Sequence, residues 1–169
     1  ASDAVTQMDR GAEEIVIRNI RADRPDDAVL GEEGGVRSGS TAVRWIVDPL
    51  DGTVNYLYRI PMWGVSVAVE VDGRVEVGVI SAPDLDEDYV GVRGHGAWLI
   101  RKGRAERLQV RACSDLATTL VVTGFGYDPD LRRRQAAVVA SIISTVRDVR
   151  RLSLRRQRQM CIRDRFSRP

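Results

Sequence analysis

The sequence predicts an α+β fold, and three observations carry that prediction. An amphipathic segment of helical period lies near the start. A run of alternating valines turns back on itself at a two-residue loop. Helices and strands do not alternate regularly, as they would in a chain of repeated β-α-β units.

The elements follow in order. Over roughly residues 9–23, Ala12, Ile15, Val16, Asn19 and Ile20 fall at helical spacing, with Glu13, Glu14, Arg18 and Arg21 on the other side. Thr6 or Asp9 suits the cap at its start, and Pro25 closes it. Ala28-Val29-Leu30 is an apolar step into Gly31-Glu32-Glu33-Gly34-Gly35, followed by a loop rich in Gly, Ser and Thr. Trp45-Ile46-Val47 reads as a short buried strand, halted at Asp48-Pro49-Leu50-Asp51-Gly52-Thr53. Val65, Val67, Val69 and Val71 then point one way, and Ser66, Ala68 and Glu70 the other. Asp72-Gly73 signals a hairpin, and Val75, Val77 and Val79 continue the alternation on the return strand. Further strands are expected near 88–93, 97–100, 106–110 and 119–123, with turns at Gly94-His95-Gly96 and Lys102-Gly103. A helix is expected from about Pro129 to Val146, and Val149-Arg150-Arg151-Leu152 opens another strand. Trp45, Trp63 and Trp98 fall on strands and read as core.

Composition narrows the classes. The chain has 169 residues, 43% hydrophobic and 30% charged, enough for a real core and unlike a disordered tract or a disulfide scaffold. Cys113 and Cys161 read as two free thiols of a reducing compartment. No apolar run reaches the roughly 18 residues of a membrane span. The start lacks the features of a signal peptide, and without an initiator Met the chain is expected to begin inside a longer protein. The net charge of +2 hides an asymmetry. Residues 153–169 hold six Arg against Asp164, a net +5, which leaves the remainder at −3. No periodicity survives beyond Leu152, so the domain is expected over 1–152 and the basic tail is expected to be non-native or disordered.

The densest chemistry is Asp48-Pro49-Leu50-Asp51-Gly52-Thr53. Two carboxylates three residues apart at the end of an apolar strand need cations, donors or water. Hard divalent ions prefer such oxygens, and the Leu50 carbonyl is a further oxygen donor. Gly52, Thr53 and Asn55 suit a turn into a helix start, where free N–H groups attract phosphate. An Asp-rich surface turn is the plain alternative. Glu32 and Glu33, flanked by glycines, are either a solvated acidic pair or the rest of a metal shell, and Asp9 by itself reads as a helix cap. His95 is the only histidine and lies between two glycines, which fits a turn and argues against His-rich zinc chemistry. Neither a P-loop nor a dinucleotide fingerprint is present.

Gly31-Glu32-Glu33, followed by Trp45-Ile46-Val47-Asp48-Pro49-Leu50-Asp51-Gly52-Thr53-Val54-Asn55-Tyr56, resembles the signature of the inositol monophosphatase family. Asp3-Ala4-Val5-Thr6-Gln7-Met8-Asp9 is similar to the family's D-x-V-T-x-x-D segment. The resemblance continues through Gly94-His95-Gly96-Ala97-Trp98 and Leu120-Val121-Val122-Thr123-Gly124-Phe125 to about Leu152. It covers most of the chain, but only the first half to two-thirds of a typical member, and looks most like bacterial ones.

The resemblance implies a layered α-β-α-β-α sandwich of the inositol monophosphatase and fructose-1,6-bisphosphatase type, with the C-terminal part missing. It implies Mg²⁺-dependent, lithium-sensitive hydrolysis of a phosphate monoester, with two or three ions. Glu32, Asp48 and the Leu50 carbonyl would hold one ion, and Asp48 and Asp51 a second. Glu32, Thr53 and Asp9 would position a water or a further weakly held ion, supported by Glu33. Backbone amides of Asp51, Gly52 and Thr53 would meet the phosphate. Inositol monophosphate is the leading substrate. Fructose 1,6-bisphosphate, nucleotide 3′-phosphates and histidinol phosphate are alternatives, and relatives suggest a homodimeric, cytoplasmic parent. The family's further metal-binding Asp, in a W-D-x-x-[AG]-G segment, has no counterpart in this sequence, so an impaired fragment is expected. A non-catalytic chain whose Arg-rich tail binds nucleic acid without sequence preference is the reading from another class; no specific nucleic acid and no membrane partner are expected.

Overall fold

A computed structural model describes residues 7–110, 114–126 and 128–151. The upstream Asp3–Thr6 segment, Cys113, Cys161 and the basic tail 153–169 lie outside those residues.

Helix α1 spans Gln7–Asp23. An eight-stranded sheet follows, built from β1 (Ala28–Gly31), β2 (Gly35–Arg37), β3 (Val43–Asp51), β4 (Gly64–Val71), β5 (Arg74–Ala82), β6 (Glu87–Val92), β7 (Gly96–Arg101) and β8 (Arg104–Leu108). Its spatial order is β2-β1-β3-β4-β5-β6-β7-β8. Every neighbouring pair is antiparallel except β1 with β3. The short helix α2 (Thr53–Leu57) is inserted between β3 and β4. The chain then forms a β-α-β unit: β9 (Leu120–Thr123), α3 (Pro129–Ile142) and β10 (Asp148–Arg151), with β10 parallel to β9 in a second, two-stranded sheet. The expected α+β, layered architecture is present.

Hairpin chemistry explains the meander. Asp72 and Gly73 both take positive φ, 49° and 77°, the pair of left-handed residues a type I′ turn needs, and Lys102-Gly103 repeats the device between β7 and β8. Two bulges interrupt the ladders. Between Asp48 and Asp51, β3 carries one residue more than β4 opposite, and a second irregularity follows Val69 in the pairing of β4 with β5.

α1 packs on β3, and its core contribution differs from the sequence expectation. The buried positions are Asp9, Glu13, Ile17 and Ile20, whereas Ile15 is half exposed and Asn19 is exposed. Glu13 therefore belongs to the inner face, and Asp9, the third residue of the helix, is not its cap. Apolar spacing misplaces the stripe because two acids on the inner face are held by polar partners. Ile17, Ile20, Val29 and Val47 form the core cluster, with Val16, Trp45 and Val67 packed against it. β3 also departs from expectation. Rather than stopping at Asp48 it resumes pairing at Asp51, because the bulge absorbs Pro49, which has no N–H to give the ladder. On β4 the small residues Gly64, Ser66 and Ala68 are fully buried and the valines only half-buried. None of the three tryptophans is fully buried. No residue of α3 is buried, and it ends at Ile142, short of the expected Val146.

Asp27, just before β1, locks the loop and the sheet together. Its carboxylate is 1% exposed and accepts from Arg24 Nε at 2.8 Å, Thr41 Oγ1 at 2.6 Å and Trp45 Nε1 at 3.0 Å. Hydrogen bonds from Arg24, Thr41 and Trp45 hold this acid well below the usual carboxylate range. A depressed folded-state pKa contributes stability above the unfolded value, near 3.9, and that contribution is lost as pH falls. Asp27→Asn should therefore lower the urea midpoint most above pH 5, with the gap to wild type narrowing below pH 4. Val29→Ala, at a fully buried position, should cost about 2 kcal/mol at any pH in the same titrations.

Candidate metal and phosphate site

Parallel pairing builds the site. Register places Leu30 beside Ile46 and Gly31 beside Val47, so the next residues, Glu32 and Asp48, emerge together at the same ends of two adjacent strands. The Glu32 amide donates to the Val47 carbonyl at 3.2 Å and extends the ladder by one step. The bulge then turns β3 through Pro49 and Leu50, bringing Asp51 to the same end. Gly52 takes φ 90°, the left-handed conformation that starts α2 at Thr53.

The side chains converge from four segments. Thr53 Oγ1 lies 3.0 Å from Asp9 Oδ1 and 3.0 Å from the Leu50 carbonyl, so its hydroxyl proton has two acceptors. Asp9 is 4% exposed and Asp48 5% exposed. Asn55, also buried, donates to the Met62 carbonyl at 2.6 Å and closes the loop behind α2, where Tyr56 meets Trp63 edge-on.

Asp48 is the anomaly. Its Oδ1 is buried without a hydrogen-bond partner. Burial, then the charges of Glu32 and Asp51, then a hydrogen bond shared with Glu32, push its carboxyl up to about 8. Glu33 is also raised, first by burial and then by Glu32, Asp9 and Glu13. A buried, unpaired carboxylate oxygen beside two further acids is the environment that a hard cation relieves. Among the described residues no three His, Cys, Asp or Glu side chains are already gathered as a metal cage. Glu32, Asp48, Asp51 and the Leu50 carbonyl could hold a hard cation.

The structure thus brings Glu32, Asp48, Leu50, Asp51, Gly52, Thr53 and Asp9 to one end of β1 and β3, with Glu33 beside them. Sequence reasoning missed two acids. Glu13 accepts from the Glu33 amide at 2.8 Å and the Gly34 amide at 2.8 Å, and Asp27 forms the lock described above. Glu13 stands four residues after Asp9, one helical turn, which was the available signal. A hollow of about 510 Å³ lined by Leu99, Arg101, Lys102, Arg104 and Glu106 lies at β7 and β8, the opposite edge of the sheet from β1. His95 sits in the β6–β7 turn, its amide donating to the Val92 carbonyl at 3.0 Å.

A helix-backed sheet with an acidic strand end, followed by a β-α-β unit, defines a layered α+β protein. The chain belongs to the inositol monophosphatase family, whose model matches residues 1–162. It is 39% identical over 153 residues to the Nus factor SuhB of Pasteurella multocida, covering 89% of this chain and 56% of the relative. It is 36% identical over 156 residues to the inositol-1-monophosphatase of Mycobacterium bovis, covering 89% and 54%. Among solved structures, the extragenic suppressor protein suhB from Bartonella henselae superposes with a TM-score of 0.82 at 34% identity, over 90% of this chain and 58% of that one. The Thermotoga maritima IMPase gives 0.79 at 30% identity, over 90% and 56%. The chain spans about half the length of the curated relatives it matches.

The raised Asp48 pKa makes a signed prediction. A carboxyl whose folded-state pKa exceeds its unfolded value adds stability below about pH 4, and loses it as pH rises toward 8. Without divalent ions, Asp48→Asn should therefore raise the urea midpoint at pH 8 and change it little at pH 4.

Proposed function

We propose that this chain is the metal-holding portion of a Mg²⁺-dependent phosphomonoesterase, with inositol monophosphate the leading substrate. The observation that carries the reading is the orphaned, buried Oδ1 of Asp48 among Glu32 and Asp51. In this reading Glu32, Asp48 and the Leu50 carbonyl would hold one ion, and Asp48 with Asp51 would hold a second, in a family-like complement of two or three. Bound ions of this kind lower the pKa of water and neutralise phosphoryl oxygens.

The chain's own groups do the rest. The Leu50 carbonyl accepts one bond from Thr53 and retains a lone pair for a ligand. Thr53 Oγ1, its proton directed toward Asp9 or Leu50, can accept a bond from a water and so orient it, with Glu32 assigned to the same water. Asp9 and the Leu50 carbonyl, the two acceptors for the one Thr53 hydroxyl proton, set the direction of the hydroxyl dipole. Backbone amides of Asp51, Gly52 and Thr53 are the groups assigned to the phosphate, and Glu33 supports Glu32 from the adjacent position. The site contributes no protein nucleophile to this scheme.

The domain is taken as residues 1–152, with the 153–169 tail outside it. The parent is read as a lithium-sensitive, cytoplasmic homodimer. No described helix is long and apolar enough to cross a membrane. Four of the matching relatives carry the name Nus factor. The buried carboxylates favour the catalytic reading over binding of nucleic acid by the Arg-rich tail.

The test is phosphate release from inositol 1-phosphate by the purified chain, with and without millimolar Mg²⁺. Mg²⁺-dependent release, slower than that of longer relatives, is expected, and Asp48→Asn should reduce it about 100-fold or more. A wild-type chain that neither binds Mg²⁺ calorimetrically nor releases phosphate would overturn the reading. Fructose 1,6-bisphosphate, a nucleotide 3′-phosphate and histidinol phosphate assayed beside it separate the substrate classes.

A further inference from the structure

Glu13 takes no direct part in that scheme, yet it is among the most buried acids in the molecule, 3% exposed. Its two oxygens are divided between two successive amides of the acidic loop. Oε2 accepts from the Glu33 N–H at 2.8 Å and Oε1 from the Gly34 N–H at 2.8 Å. A carboxylate receiving two backbone donors is a strong, directional anchor. It reaches them from α1, twenty residues earlier in the chain.

The loop is shaped around this carboxylate. A Cβ at Gly31 would lie 1.9 Å from Glu13 Oε1, and one at Gly34 would lie 2.7 Å from the same atom. A side chain at either position would force the Glu13 carboxylate off its two amides. The glycines on either side of Glu32-Glu33 therefore make a cradle for the Glu13 carboxylate. Between them, the Glu32 amide is tied to the Val47 carbonyl. One anchor comes from the neighbouring strand and the other from the helix, and together they fix the backbone that carries Glu32 beside Asp48.

We propose that Glu13 is a positioning residue for Glu32. By clamping the Glu33 and Gly34 amides it sets the height of the Gly31–Gly35 loop over β3, and hence the separation of the Glu32 and Asp48 carboxylates that would share a cation. This rests on the metal reading above for its functional consequence, but the clamp itself is independent of any ion. Glu13→Gln is the informative change. Glutamine has the same shape but only one acceptor, so its NH₂ must face one of the two backbone donors.

The experiment uses the full 169-residue chain, with amide hydrogen exchange by NMR and Mn²⁺ titration by calorimetry. In Glu13→Gln the Glu33 and Gly34 amides should exchange at least about tenfold faster, while amides of β5, β6 and β7 keep their wild-type rates. Mn²⁺ affinity should fall about 10- to 100-fold, as for groups that orient a metal ligand without touching the metal. Gly31→Ala should reproduce both effects from the other side of the contact, and serves alone if Glu13→Gln does not fold. Adding Gly31→Ala to Glu13→Ala should have little further effect, because the methyl group then has room. Unchanged exchange at both amides would overturn the clamp. Faster exchange with Mn²⁺ affinity within about twofold of wild type would overturn the positioning role. A wild-type chain that takes up no Mn²⁺, but protects the two amides only while Glu13 is present, would sink the metal reading and leave the clamp standing.

Discussion

The parallel pairing of β1 with β3 is the constraint on which the rest of the acidic site depends. It is the one parallel pair in an otherwise antiparallel eight-stranded sheet. In an antiparallel pair, the residue after one strand's end would sit beside the start of its neighbour. Here the two strands end together, so Glu32 and Asp48 leave the sheet at the same place. The unfavourable proximity of two acids is thus imposed by backbone hydrogen bonds and by the apolar packing of Val29, Val47, Ile17 and Ile20 beneath them.

Two buried acids near β3 show how differently the fold treats equivalent groups. Asp27 is surrounded by donors from Arg24, Thr41 and Trp45, and its charge is stabilised. Asp48, three residues after Trp45, is buried among other acids with one oxygen unsatisfied. The first knits the loop after α1 to the sheet. The second keeps an unsatisfied oxygen whose charge a proton or a bound cation relieves. Buried polar groups are ordinarily satisfied, so an exception next to charged neighbours points to a ligand more than to a packing error.

Much of the fold was legible in the sequence because its signals are local. The Asp72-Gly73 and Lys102-Gly103 turns and the valine alternation on β4 and β5 each specify a hairpin within about ten residues. Asp48, Asp51 and Thr53 were legible as a group because they lie within six residues on one strand end. Glu13 and Asp27 were not. Their partners lie up to twenty-one residues away, and an acid on a helix normally faces water. The expected halt at Asp48 failed for a related reason. Proline does remove a ladder donor, but a single bulged residue lets the strand pass it and resume at Asp51.

The same bulge bears on how the sheet finds its alignment. The β4 sequence Gly64-Val65-Ser66-Val67-Ala68-Val69-Glu70-Val71 repeats every two residues. A slip of one residue would invert its faces, but a slip of two would leave valines opposite valines, and burial alone could not tell the two registers apart. The irregularity at Pro49-Leu50 on one side of β4 and that after Val69 on the other break this translational symmetry at opposite ends of the strand. They act as stops in a repetitive track. A slipped β4 would have to oppose an extra residue where it has none, and Ser66 would no longer stand across from Asp48.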